Sequence, residues 1–158
     1  MGKDIHSPSL IAPKDLKTAH DTYVEKVNRQ RAKERMLADR RRAEADEATF
    51  EELKGRYLGL AMTDGNIRLN TLNSVAEYYQ EGTKQHICVG SAKYYLKADT
   101  LVMRATLEGK TIATVEISLK DYSILQCRAF ANGICDYTEQ IAGIINANKG
   151  LIAERQTA

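Results

Sequence analysis

The sequence predicts an α+β fold, in which a long charged N-terminal helical segment precedes a small domain of strands and helices. Residues 15–54 contain no Gly or Pro and are rich in helix-forming residues. Three runs rich in Val, Ile, Thr and Leu follow between residues 100 and 130, and an Ile-rich segment ends the chain. We therefore expect two domains, a charged helical extension over residues 1–54 and a compact α+β domain over residues 55–158.

The composition is that of a globular protein. The chain has 158 residues, of which 43% are hydrophobic and 28% charged. No window of about 18 apolar residues predicts a membrane span, and the N-terminus lacks the apolar region of a signal peptide. Three cysteines, an odd number, argue against a secreted disulfide framework. We therefore expect a cytoplasmic protein that does not enter the membrane.

The N-terminal segment is predicted to form one long helix, or two helices, over Asp15–Lys54. Pro13 stands just before this segment, and Gly55 is expected to end it. One apolar stripe at spacings of three and four marks its first part: Leu16, Ala19, Tyr23 and Val27. Its middle is polar nearly all round, which is typical of a helix that projects into solvent or meets a partner. A homo-oligomer formed through this helix is one such arrangement.

A basic run lies within the same segment. Between residues 29 and 42 the basic side chains are Arg29, Arg31, Lys33, Arg35, Arg40, Arg41 and Arg42. Only Glu34 and Asp39 oppose them in charge. Such a run can contact a nucleic-acid backbone, because each neutralised phosphate releases counterions. A solvated helix face explains the run equally well, so both interpretations stay open.

A β-hairpin is predicted at the start of the compact domain. Tyr57–Met62 is typical of a strand, Thr63–Asn66 of a tight turn with Asp-Gly at its centre, and Ile67–Leu69 of the returning strand. A short helix over Val75–Glu81 is expected next. Its cap is either Asn73 or Ser74, and Gly82 is expected to stop it.

The second half of the compact domain is predicted to be a meander and a helix. After a helical turn within Ser91–Leu96, the three runs Thr100–Leu107, Thr111–Leu119 and Tyr122–Phe130 are separated by short turns, which predicts a three-stranded antiparallel meander. Asp136–Arg155 carries Ile at helical spacing and is expected to pack on the sheet as a C-terminal helix.

The densest chemistry of the sequence lies at His86 and Cys88, followed by Tyr94. A thiol beside an imidazole is the minimal nucleophile pair of cysteine enzymes, because the imidazole can take the proton of the thiol. In the alternative interpretation Cys88 is a small buried hydrophobe that resists alkylation, and His86 bonds the backbone.

A zinc site is a further interpretation of the cysteines. It would use His86, Cys88, Cys127 and Cys135, but their spacings match no zinc ribbon or finger. We therefore expect no structural metal and no cofactor.

A polar set lies on the predicted strands: Arg104, Thr114, Glu116, Gln126 and Arg128. Thr114 and Glu116 are two residues apart, as are Gln126 and Arg128, so each pair shares one face of the sheet. One interpretation is the solvent side of a one-faced sheet. The other is a site in which Arg104 or Arg128 binds phosphate or carboxylate while Glu116 orients a group or accepts protons.

An ordered series of short motifs runs through the second two thirds of the chain. It comprises residues 55–60, Leu72–Glu77 with Glu81-Gly82, His86-x-Cys88-Val89, Tyr94-Tyr95, Lys97-x-Asp99-Thr100-Leu101, Thr114–Leu119, Gln126-Cys127-Arg128, Asn132 and Asn148–Arg155. From about Glu51 onward the chain resembles the C-terminal domain of PcfJ-like proteins of conjugative plasmids, transposons and phages. Two positions depart from that family, with Ile87 in place of a frequent second His and Ala129 in place of a Gly.

The resemblance implies a mobile genetic element and one site formed by both polar sets. The catalytic candidates are His86, Cys88, Tyr94, Glu116, Gln126 and Arg128, and the ligand-binding candidates are Arg104, Thr114, Arg128 and Asn132. We expect an accessory protein that binds nucleic acid or a protein of the conjugation, phage or host defence machinery. The alternatives are a small hydrolase or transferase and a phage-borne inhibitor of a host defence complex.

Overall fold

The structure is a computed structural model that describes the backbone of residues 13–158 and the side chains from residue 16 onward. Its elements, in chain order, are α1 (Pro13–Lys54), β1 (Ala61–Thr63), β2 (Ile67–Thr71), α2 (Val75–Gln85), β3 (Thr100–Leu107), β4 (Lys110–Ser118), β5 (Ile124–Ala129), β6 (Gly133–Ile134) and α3 (Thr138–Thr157). Short 3₁₀ turns occupy residues 55–57, 94–96 and 130–132. The predicted α+β fold, with its long N-terminal helix and its C-terminal helix, is confirmed.

The chain divides into two compact units within α1. The first unit ends at Arg40, and the second runs from Arg41 to Ala158. In the first unit nearly every described side chain is exposed. The second unit contains the last turns of α1, the whole sheet, α2 and α3. The division into domains at residues 54 and 55 stays a prediction.

The strands form one six-stranded antiparallel sheet in sequential order, β1 to β6. It is larger than the predicted three-stranded meander, which corresponds to β3, β4 and β5. The hairpin of β1 and β2 extends the sheet at one edge, because Ile67 pairs with Leu107 and Thr71 with Met103. At the other edge β6 pairs with β5. The predicted hairpin and the predicted meander are thus parts of one sheet.

Helices cover both faces of the sheet. One face presents alternate residues such as Leu101, Met103 and Val115, and these pack in one core cluster with Ile141 and Ile145 of α3. A second core cluster contains side chains from the last turns of α1, from α2, from the 3₁₀ turn at 94–96 and from β3: Phe50, Tyr78, Tyr95 and Val102. The alternation of β3 and β4 residues therefore divides the second unit into two cores.

The start of α2 follows from its cap, and its end differs from the prediction. Ser74 Oγ accepts from the Glu77 N–H at 3.1 Å, and Glu77 Oε2 accepts from the N–H of Asn73, the residue before the cap, at 3.0 Å. The helix does not stop at Gly82 but ends before His86, whose φ of 54° is left-handed. A Cβ on Gly82 would lie 2.9 Å from the Ile87 carbonyl oxygen, so this glycine permits a close approach of the following loop.

The last residue of α1 is a buried lysine. Lys54 is 1% exposed, and its Nζ donates a hydrogen bond to the backbone oxygen of Thr100 on β3. Burial lowers the pKa of Lys54 to about 8, and the carboxylates of Glu116 and Asp99 partly oppose this shift. The side chain joins the end of α1 to the sheet.

Replacing Lys54 with Met should change how stability depends on pH. Because the pKa falls from 10.5 in the unfolded chain to about 8 in the folded protein, the unfolded chain binds more protons between these values. The free energy of unfolding of the wild type, minus that of Lys54→Met, should therefore increase by about 1 kcal/mol per pH unit above about pH 8. Urea unfolding of both proteins between about pH 7 and pH 9 measures this difference. A difference that stays constant with pH would contradict the lowered pKa.

Candidate functional site

The polar residues of the central strands lie on one face of the sheet. Arg104 is opposite Thr114, which is opposite Arg128, and Glu116 is opposite Gln126. The solvent-facing interpretation is wrong for Thr114 and Glu116, which are each only 4% exposed, whereas Arg128 is exposed. This is also the face of Val102, which packs with residues of α2 in the second core cluster.

A buried carboxylate of α2 binds this polar face. Glu81 is 1% exposed; its Oε1 accepts from Arg104 Nε at 2.8 Å, and its Oε2 accepts from Thr114 Oγ1 at 2.6 Å. The sequence pattern predicts Glu81 only as the last residue of a helix. The signal that could have found it is its spacing of three from Tyr78, which continues the buried face of α2 that begins at Val75.

A second buried carboxylate of the polar face, Glu116, is paired with a lysine. Glu116 Oε2 lies 3.1 Å from Lys97 Nζ. The same ammonium group lies 3.7 Å from the centroid of the Tyr94 ring, in a cation–π contact. Gln126 Nε2 donates to the Tyr94 hydroxyl at 3.2 Å. Lys97 was not among the predicted site residues, yet it links Glu116 to Tyr94.

Part of this polar face lines a small open pocket with a cavity volume of about 20 Å³. Its lining is Ile87, Cys88, Val89, Tyr94, Val102, Thr114, Glu116, Gln126, Arg128 and Asn132. Seven of the predicted candidates thus meet around one cavity, although they are spread over residues 88–132 of the chain. Because the space is small, it suits the end of a ligand better than a whole cofactor.

Two of the predicted candidates, His86 and Arg104, lie outside the lining of this pocket. The His86 ring packs against Phe130 with 4.7 Å between the ring centroids. Arg104 is held by Glu81 on the same sheet face. The functional roles predicted for His86 and Arg104 stay predictions.

The three cysteines lie in different surroundings. Cys88 is exposed, so the interpretation of Cys88 as a buried small hydrophobe is wrong. Cys127 and Cys135 belong to the core on the α3 side, where burial, with a smaller contribution from Cys135, raises the pKa of Cys127 to about 11. Within residues 16–158 no three His, Cys, Asp or Glu side chains are grouped to hold a metal ion.

The acidic end of α1 binds α2 and the 3₁₀ turn beside the pocket. Tyr95 Oη donates to Asp46 Oδ2 at 2.7 Å, and the Val75 N–H donates to Glu47 Oε2 at 3.1 Å. Burial, together with hydrogen bonds to Tyr79 and Asp46, raises the pKa of Tyr95. The acidic residues after the basic run therefore have a structural function that their charge pattern alone did not indicate.

The predicted basic contacts lie on α1 itself. Arg29, Arg31, Lys33 and Arg35 are exposed in the first unit, as is Arg40 at its end. Arg29 Nη2 lies 3.4 Å from Glu25 Oε2, one helical turn earlier, in an exposed pair that contributes little to stability. Arg41 and Arg42 belong to the second unit.

The sequence model of the PcfJ-like protein family matches residues 1–142. The chain belongs to the PcfJ-like family. The match includes α1, which the resemblance from about Glu51 onward did not, and it ends within α3. No curated protein and no solved structure matches this PcfJ-like chain. In the part of the chain that the structure describes, every helix is too short or too polar to cross a bilayer.

The exposure of Cys88 predicts selective alkylation of this PcfJ-like protein. In the folded state Cys88 should react with iodoacetamide at least about ten-fold faster than Cys127 or Cys135, because those two thiols lie in a core. The His86→Ala variant should keep the Cys88 rate within about two-fold, since the imidazole packs on Phe130. Mass spectrometry of a labelling time course measures the three rates, with Cys88→Ser as the control. Equal alkylation rates at the three thiols would contradict the exposure of Cys88. A large fall in the Cys88 rate in His86→Ala would support the hypothesis that the two residues form a nucleophile pair.

Proposed function

We propose that this PcfJ-like protein is an accessory protein of a mobile genetic element, a conjugative plasmid or phage, that acts in the cytoplasm by binding duplex nucleic acid through α1. Family membership supports the first part of this proposal. The exposure and the charge pattern of residues 29–40 support the second part. The pocket is not required for this function.

The exposed part of α1 favours a function in binding. Large apolar side chains on it are open to solvent, including Tyr23 at 66% and Met36 at 71% relative exposure. A single helix gains little stability from propensity alone, and most helices in proteins depend on packing of one face. A helix exposed on all sides within its own unit is therefore well suited to bind a partner that packs on its surface.

The arrangement of the basic side chains favours a duplex as that partner. At about 100° per residue, Arg29, Lys33 and Arg40 fall within about 40° of one another on the helix surface. Arg31 and Arg35 form a second stripe, centred about 200° from the first. An α-helix with its side chains is about 10–12 Å wide, and the major groove of B-DNA is about 12 Å wide. Two basic stripes on opposite sides of the helix match the two phosphate strands that border this groove.

Charge reversal on each stripe tests the proposal. Arg29→Glu with Lys33→Glu, and separately Arg31→Glu with Arg35→Glu, should each weaken binding to a short DNA duplex by more than about ten-fold. Each pair should also reduce the slope of log affinity against log salt by about 2, since each lost phosphate contact removes about 0.9. Fluorescence anisotropy at several salt concentrations measures both quantities.

The matched control reverses two exposed lysines of the second unit, Lys84→Glu with Lys110→Glu, and should change affinity and slope less than either stripe variant. Circular dichroism of each variant checks that α1 is retained. A loss confined to one stripe would contradict insertion between two phosphate strands. A wild-type protein that binds no duplex at low salt would contradict nucleic-acid binding and favour a protein partner for α1.

A further inference from the structure

We propose that the pocket between the sheet and the loop after α2 binds a small oxyanion, the phosphate monoester or carboxylate end of a ligand, with Arg128 as its charged anchor. The proposal concerns a different part of the molecule from the nucleic-acid function of α1. It rests on the charges, hydrogen bonds and size of the pocket.

One cation that lines the pocket has no carboxylate partner. Glu81 is paired with Arg104 at 2.8 Å, and Glu116 is paired with Lys97 at 3.1 Å. Arg128 is exposed, lines the pocket, and forms no ion pair with any residue in the described part of the chain. A guanidinium group offers a planar fork of N–H donors that fits carboxylate and phosphate oxygens. An anion at the pocket would therefore meet a charge that no protein carboxylate already compensates.

The pocket also contains uncharged hydrogen-bond donors that the protein itself does not use. The Tyr94 hydroxyl accepts from Gln126 Nε2 at 3.2 Å, so its own proton is available for a ligand oxygen. The Asn132 amide also lines the pocket and makes no side-chain hydrogen bond to a described residue. Thr114, by contrast, already donates to Glu81 and cannot donate to a ligand. Donors that remain for an oxyanion thus include Arg128, Tyr94 and Asn132.

The backbone holds Asn132 in an uncommon conformation at the pocket. Ala131 and Asn132 have φ values of 55° and 64°, two consecutive non-glycine residues in the left-handed region. Such positions are energetically unfavourable for residues other than glycine and are common at ligand-binding sites. The cavity of about 20 Å³ has space for about one water-sized group, so only the end of a ligand would enter it and the rest would extend into solvent.

Titration of the ¹⁵N-labelled full chain with inorganic phosphate, methyl phosphate and acetate at constant ionic strength tests the site. Saturable shifts are expected at the backbone N–H groups of Asn132 and Gly133 and at Arg128 Nε. The Arg128→Gln variant should weaken this binding at least about ten-fold, and Arg128→Lys should weaken it less, because it keeps the charge and loses the fork. Saturation by the two phosphates alone would identify a phosphate monoester, and saturation by acetate alone a carboxylate.

The control is Arg68→Gln, which removes an exposed arginine from β2 of the same sheet, away from the pocket. It should leave the titration unchanged. Equal weakening by Arg68→Gln and Arg128→Gln would overturn the proposal, since it would show a general charge effect. Shifts that do not saturate, or that persist in Arg128→Gln, would overturn it as well. Because residues 29–40 are unaltered in these variants, failure here would leave the proposed function of α1 intact.

Discussion

The buried carboxylate of Glu81 is the interaction on which the pocket side of the molecule depends. Removing a carboxylate from water costs several kcal/mol unless its oxygens are paired. Glu81 meets this requirement with Arg104 on one oxygen and Thr114 on the other, at 2.8 and 2.6 Å. These two bonds fix α2 over the polar face of β3 and β4. They also engage Arg104, whereas Arg128, the arginine of the pocket lining, remains for a ligand.

The end of α1 supports the same arrangement from a second direction. Lys54 binds the backbone of β3, Glu47 caps the start of α2, and Asp46 accepts from Tyr95. Each of these contacts joins residues that are far apart in the sequence, and each buries polar atoms together with a partner, as buried polar groups require. The basic run therefore continues into a segment with a structural function, and the change in charge sign along α1 marks a change from an exposed helix to a packed one.

The sequence predicts most elements of this fold because their signals are local. The Gly- and Pro-free run, the Ser74 cap and the alternation in β3 each depend on neighbouring residues. Alternation with period two is also sufficient to predict that Thr114 and Glu116 share a face, as do Gln126 and Arg128. The role of Glu81 could not be predicted, because its partners lie 23 and 33 residues away. The exposure of Cys88 is set by a loop, for which the sequence offers no periodic pattern.

A double-mutant cycle between Glu81 and Thr114 tests most directly whether this carboxylate fixes α2 to the sheet. Glu81→Leu, Thr114→Val and the double variant are compared with wild type by urea unfolding. The two single changes each leave a buried polar partner unsatisfied, so the double variant should lose less than their sum by about 1.5–3 kcal/mol. Losses that add to within about 0.5 kcal/mol would show that the two side chains do not interact energetically and would contradict a role for Glu81 in fixing α2.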